Sequence, residues 1–269
     1  MQLRSLSLAA MTLAAVALRL PAQTPDPKLD CNRVVMVQSG LTSTCQMRES
    51  TSDDIGTLII PSFPNGGVSI YIWDGGQTLV RSRILAAARS DYQAFALASD
   101  VQVQVSPGQV RVSGPSLNMS QNWAVDLEIY VPAATALKLS TLNGGISVQN
   151  VTGAIVVSTV NGGITITGAT GDVTASSVNG KVSVSAAAPW KGQTILAQAV
   201  NGAVEIAVPS DCSAHVELST VNGSLSTTIP DVNWTFVGHR GAVSFDLRSG
   251  ESRISGSTVN GSVTVKPTD

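Results

Sequence analysis

Apolar and polar residues alternate over most of the second half of the chain. Three positions after each of a series of corners stand Ile146, Ile164, Val182, Val204, Leu225, Val243 and Val263. Two positions further on stand Val148, Ile166, Val184, Ile206, Thr227, Phe245 and Val265. Between them lie Ser147, Thr165, Ser183, Glu205, Ser226, Ser244 and Thr264. A period of two puts the first two columns on one face of a strand and the third on the other. The corners are Asn-Gly at Asn143, Asn161, Asn179, Asn201, Asn222 and Asn260, with Arg240-Gly241 as a variant.

The register of the corners says how the strands are arranged. Gly144, Gly153, Gly162, Gly171 and Gly180 fall every nine residues, after Asn and Thr in turn. The unit is therefore 18 residues with two corners. A β-meander needs alternation but has no reason to repeat residue identity at each corner. A solenoid does, because like residues stack on like at about 4.8 Å. The pattern predicts an all-β fold in which residues 132–269 form a right-handed parallel β-solenoid, or β-helix, of about seven coils of 18–22 residues. The six asparagines then form a hydrogen-bonded corner ladder, and the glycine after each supplies a positive φ. A meander or β-sandwich is the alternative.

Residues 55–131 read as a β-rich N-terminal cap, with strands at 57–60, 67–73, 101–105, 110–112 and 125–131 and one short helix over 90–97 carrying Tyr92 and Phe95. Pro64-Asn65-Gly66 resembles a degenerate corner. Before the cap lies a polar segment, 23–54, holding Cys31 and Cys45. These could pair as a disulfide in an oxidising compartment. Cys212 reads as a buried small apolar residue.

Residues 1–22 read as a signal peptide: Arg4, an apolar run to Leu18, and Leu20-Pro21-Ala22 before the cut. An uncleaved anchor is the alternative, although the run is shorter than the roughly 20 residues of a membrane span. No later segment could cross a membrane, so the mature chain is expected to be exported to the periplasm, the cell surface or the medium. The formal charge of −2 and 13% charged residues exclude a basic nucleic-acid footprint. His215 and His239 have no neighbours at ligand spacing, so neither a metal nor another cofactor is expected.

At this point the residues match a known pattern. Asn65-Gly66-Gly67-Val68-Ser69-Ile70 leading into Trp73-Asp74-Gly75, and the related phrases VPAATALKLSTLNGGISV (131–148) and VPSDCSAHVELSTVNGSL (208–225), carry the resemblance. Over residues 55–269 the chain resembles the adhesin-like β-strand-repeat domains of unknown function found in exported bacterial proteins. The resemblance implies a β-helical, non-catalytic surface or periplasmic protein and transfers no catalytic residues. The chain departs from the repeat at His239-Arg240-Gly241 and at the insertion 186–192.

The leading functional expectation is an adhesin-like binding or structural module of the cell envelope, with an envelope glycan or a surface protein as partner. Its candidate face is Ser147, Thr165, Ser183, Ser226, Ser244 and Thr264. The competing reading of that column is a solvated face of good β-formers. The same weighing applies to the asparagines, structural ladder first. A polysaccharide-acting enzyme would need paired carboxylates on one face. Here the carboxylates are scattered, and the densest charged patch is Arg240, Asp246, Arg248, Glu251 and Arg253, with Asp246 and Arg248 expected to pair. An envelope-stress sensor or assembly partner is a further alternative, with Trp123, Trp190 and Trp234 as interface or core-plug residues. An ice-binding face would need stricter Thr columns.

Overall fold

The computed structural model describes residues 24–32, 36, 40–230, 232 and 234–268. The expected signal peptide, 1–22, lies outside them. The N-terminal part contains β1 (Thr42–Asp53), β2 (Thr57–Ile60), β3 (Val68–Ile72), β4 (Gln77–Ala88), α1 (Asp91–Asp100), β5 (Gln102–Ser106), β6 (Gln109–Ser113) and β7 (Gln121–Val131). The repeats follow as β8 (Ala136–Asn143), β9 (Ile146–Gln149), β10 (Ile155–Asn161), β11 (Ile164–Ala169), β12 (Val173–Asn179), β13 (Val182–Ala186), β14 (Thr194–Asn201) and β15 (Val204–Val208). The chain closes with β16 (Ala214–Thr227), β17 (Trp234–Leu247), β18 (Ser252–Asn260) and β19 (Val263–Pro267). These 19 strands form one continuous hydrogen-bonded sheet, folded at its corners into two facing layers. The architecture is all-β and solenoid-like.

In the middle, β8, β10, β12 and β14 stack in parallel in one layer, and β9, β11, β13 and β15 in the other. Register is like on like: Leu137, Ile155, Val173 and Ile195 align, as do Ile146, Ile164, Val182 and Val204. These residues are all but completely buried between the layers. Each large aliphatic side chain so placed contributes roughly 1.5–3 kcal/mol relative to exposure.

Glycine serves the expected purpose at only some of the corners. Gly144, Gly162, Gly180 and Gly202 do not have positive φ. A Cβ on Gly162 would instead overlap the Gly144 carbonyl oxygen, and one on Gly180 that of Gly162. At these four corners the close approach of stacked backbone demands the residue, whereas Gly66, Gly223 and Gly261 do take positive φ, at 120°, 158° and 156°. Two positions before each corner Asn lies a column that the alternation hid. Thr141, Thr159, Ser177, Thr220 and Thr258 are buried polar residues. Their hydroxyls donate to corner carbonyls: Thr159 to Gly144 at 3.0 Å, Ser177 to Gly162 at 2.9 Å, Thr258 to Gly202 at 2.8 Å. Each buried hydroxyl thereby finds its partner at a corner. Ala199 stands in this column without a hydroxyl.

The C-terminal coils do not stack in chain order. Asn201 aligns with Asn260, and Asn260 with Asn222. Thus β18 inserts between β14 and β16, and β19 joins β15 to the second half of β16. Arg240-Gly241 is not a coil corner. It lies on β17, which runs antiparallel to β16 across both layers, with Arg240 at φ 54° opposite the bend. Every corner offers the same asparagine and glycine, so corner identity alone could not order them.

At the other end, β3 pairs with β9 on one side and β7 on the other, and β7, β4 and β1 follow as antiparallel strands. Asn65 bridges to Asn143, so the degenerate corner does join the stack. Ser90 caps α1, whose Ala94, Leu97 and Ala98 plug the core, while Tyr92 and Phe95 face solvent. Strand β4 was not expected, because nearly every residue from Thr78 to Ala88 is buried and no alternation survives burial of both faces.

Candidate functional site

The outer face of the second layer presents the hydroxyl column. Register aligns Ser69, Ser147, Thr165, Ser183, Glu205, Thr264 and Ser226 as one row of outward residues. Ser244 does not belong to it. It pairs with Glu217 on the opposite layer, because β17 runs in reverse. Ser69 extends the row instead, visible in the sequence only through the degenerate Asn65 corner. Glu205 interrupts the row between Ser183 and Thr264 and is bound by Lys181 and Lys266. The hydrogen bond from Lys181, then that from Lys266, holds its carboxyl below the usual carboxylate range.

Toward the N-terminal end the row becomes the floor of an open groove of about 470 Å³. Ser69, Ser147 and Thr165 line it together with the corner glycines Gly67, Gly145 and Gly163. Its wall is the Arg83–Asp126 ion pair at 2.8 Å, and Asp126 also accepts from the Gly67 N–H at 2.9 Å. Leu29 closes the rim.

Leu29 belongs to a strap, residues 24–32, laid over the outer face of β3, β7 and β4. Backbone N–H groups of Lys28 and Leu29 donate to Glu128 at 2.9 and 2.7 Å. Arg81 donates to the Pro25 carbonyl at 2.7 Å and to Glu128 at 3.2 Å, and pairs with Glu49 at 2.7 Å. Glu128 and Arg81 are both buried, so each needs the other. Burial, then the hydrogen bond with Glu128, pushes Tyr130 up to about 12. A disulfide between Cys31 and Cys45 ties the strap to β1.

The corner asparagines form a ladder longer than the sequence pattern showed. Each side-chain amide donates to the next carbonyl oxygen, from Asn222 to Asn260, Asn201, Asn179, Asn161, Asn143 and Asn65 at 2.7–3.0 Å. Asn65 continues it to Asn122 at 3.3 Å. The amides are engaged with one another, so the ladder is structural. Beside it runs an exposed aliphatic ridge: Leu142, Val160, Val178, Val200, Val259 and Val221, each 37–41% exposed. The Val-Asn-Gly phrase carried that signal, read only for its corner.

The expected Asp246–Arg248 pair does not form. Asp246 bonds His215 Nδ1 at 2.6 Å, while Arg248 donates to the carbonyls of Ser210 and Cys212. Ser244 Oγ lies 3.2 Å from His215 Nε2, which gives a Ser–His–Asp sequence of contacts. Glu217 stands 3.5 Å from the same nitrogen. The hydrogen bond to Asp246 leads in raising the imidazole's pKa, with Glu217 adding to it. Arg253 joins the same cluster through Glu217 at 2.7 Å, which extends it into an exposed network of charged groups.

Cys212 is buried beside a cavity of about 250 Å³ lined by Val208, Ile229 and Pro267, and burial pushes its thiol up to about 11. Trp123 and Trp190 are also buried, which fits core plugs and not interface residues. Trp234's side chain lies outside what is described. Among the described residues no cluster of three or more His, Cys, Asp or Glu is placed to hold a metal, and no helix is long and apolar enough to cross a membrane.

The chain is similar at low identity to several solved structures. A protein described as a cell adhesion candidate from Clostridium sporogenes ATCC 15579 is 12% identical over 84% of this chain and all of that one, with a TM-score of 0.47. An adhesin candidate from Bacteroides fragilis NCTC 9343 is 13% identical, covering 84% and 97%, with a TM-score of 0.30. A lipid-binding candidate from Parabacteroides distasonis ATCC 8503 is 12% identical over 84% and 97%, also at 0.30. No curated protein matches the chain. The model of one family, described as Toastrack DUF4097, matches residues 32–266, and the chain belongs to that family.

Proposed function

We propose that this chain is an exported, non-catalytic binding module of the cell envelope whose ligand lies along the hydroxyl row and in the groove at its N-terminal end. One observation carries the reading. Ser69, Ser147 and Thr165 stand in register on the floor of the groove beside the Arg83–Asp126 pair. Hydroxyls spaced about 4.8 Å apart along a flat strand ladder, beside an Asp126 carboxylate that Arg83 holds in place, suit hydrogen bonding to an extended polyol such as an envelope glycan. The right-handed winding of the coils is part of the same reading. So is export, with residues 1–22 as the signal and the strap leading the mature chain to the groove's rim.

The test is co-sedimentation of the mature protein with isolated envelopes and with defined polysaccharides, assaying bound protein and released sugar. Saturable binding without fragments is expected, and Ser147→Asp should weaken it without lowering Tm. Release of fragments, or binding indifferent to Ser147→Asp and Arg83→Ala, contradicts the proposal.

A further inference from the structure

The two ends of the stack are finished differently. At the N-terminal end the last strand, β1, carries Arg48, Glu49 and Asp53. Beneath it α1 seals the core with Leu97 and Ala98, and Arg48 ties the two by donating to the carbonyls of Ala98 and Val101. At the C-terminal end the last strand is β17. It is 14 residues long and pairs with β16 along one edge. Among the described residues no strand pairs with its other edge. The core there is closed by the partly buried Val243 and Phe245. A long edge of this kind presents a row of N–H and C=O groups that template another strand.

The shape of the edge restricts what can pair with it. Strands β16 and β17 cross from one layer to the other, with Asn222 opposite His239 and Gly223 opposite Gly238 at the bend. A straight strand could follow only one half. Within the stack, corners approach each other only where glycine stands: a Cβ on Gly223 would overlap the Gly261 carbonyl. The occupant must therefore be extended, of similar length, bent near its middle and glycine-bearing at the bend. β17 meets each condition itself, with Gly238 and Gly241 flanking its bend. The antiparallel pairing of β16 with β17 shows that two such bent strands can stack in opposite directions.

We propose that the C-terminal end is a self-association surface, at which β17 pairs antiparallel with β17 of a second copy about a two-fold axis, Gly238 of each copy facing Gly241 of the other. The same patch serves both partners, as closed two-fold symmetry requires. One strand edge and the end of a thin core fall below the roughly 800 Å² per partner of a standard interface, so the pair is in exchange with monomer. Arg240 of one copy lies close to Arg240 of the other beside the axis, so added salt screens a repulsion and tightens the pair.

The test combines sedimentation, small-angle scattering and amide exchange on the full chain across a wide concentration range. The second layer holds 11 strands from β1 to β17, a stack of about 48 Å at the strand spacing. A tail-to-tail dimer doubles that length. Expected results are a reversible dimer with about twice the maximum dimension, new exchange protection confined to residues 234–245 of β17, and stronger association at higher salt. A monomer at every concentration overturns the proposal. So does a dimer of unchanged length, or one whose protection falls elsewhere.

Discussion

Between Leu137 and Val208 each strand lies on a neighbour 18 or 22 residues away, with the same kind of side chain in the same column. At the ends the partners are farther off: Asn260 lies on Asn201 across 59 residues, and Arg81 bonds Glu128 across 47. The middle is held by repetition, with apolar columns inside, glycine at the corners and hydroxyls on the corner carbonyls. The ends are held by singular contacts, namely a buried ion pair, a disulfide-tied strap, a helix and a reversed hairpin. A repeat specifies what stacks on what, but not where stacking stops or in which order the last layers arrive. Those decisions fall to residues that occur once.

The comparison predicts where substitutions should hurt and how far the damage should travel. Ile166→Asp should have the largest effect. It places an unpaired charge in a two-layer core only one side chain deep and should unfold several coils together, a loss above about 4 kcal/mol. Amide exchange should show β10 to β13 opening as a unit. Damage confined to one strand would mean that the middle is not cooperative.

Glu128→Ala should come next, at about 3 kcal/mol, because it removes the buried carboxylate that pairs with Arg81 and accepts from the Lys28 and Leu29 N–H groups, leaving Arg81 only its pair with the more exposed Glu49. Unlike Ile166→Asp, it should release the strap and end strands first, read as proteolysis near residues 24–32 while the coils persist. Gly162→Ala should cost about 1–3 kcal/mol by forcing two corners apart. Its circular dichroism should be unchanged at low temperature and its Tm lowered. Ala199→Ser should stabilise by about 1 kcal/mol, since the column of Thr159 and Ser177 would then gain a hydroxyl aimed at the Gly180 carbonyl. A lower Tm for that variant would show that the site is already satisfied or too tight.

The smallest effect is in pH. His215 has a raised folded pKa, so its contribution is complete below the ordinary 6.5 and fades as pH rises through the folded value. Glu205 has a lowered one, so its contribution is complete above 4.5 and fades as pH falls through the folded value. Both charges lie near the C-terminal end. That end should therefore be firmest between about pH 4.5 and 6.5, by a margin that surface exposure keeps small. Fluorescence melting of wild type against His215→Gln across this range should show the difference shrinking on the alkaline side.

Legibility in the sequence follows the same division. The inward columns apart from Val243 and Phe245, which lie on Leu218 and Val216 in the other layer, the asparagine ladder and five of the six candidate hydroxyl positions could be read directly, because a period of two and a fixed corner leave only one way to align them. Ser244 could not, since the reversal of β17 moves it to the other layer without changing its place in the alternation. β4 was hidden because both its faces are covered. The buried threonines were hidden because a hydroxyl in an inward column looks like an outward one until the corner carbonyl it bonds is seen. The groove depends on Arg83 and Asp126, which come from antiparallel strands with no repeat to announce them.

The order of the last layers is the point at which the stack could most easily be otherwise, and it can be measured with paired cysteines. Gln198 lies directly beside Ser257, whereas Ser219 lies one strand further out. Gln198→Cys with Ser257→Cys places the two Cα atoms about 5 Å apart, within disulfide reach; Gln198→Cys with Ser219→Cys places them roughly 10 Å apart, beyond it. The account predicts that mild oxidation cross-links the first pair and leaves the second reduced. A cross-link between residues 198 and 219, with 198 and 257 unreacted, would mean that the coils follow chain order and that the end of the stack has been described wrongly.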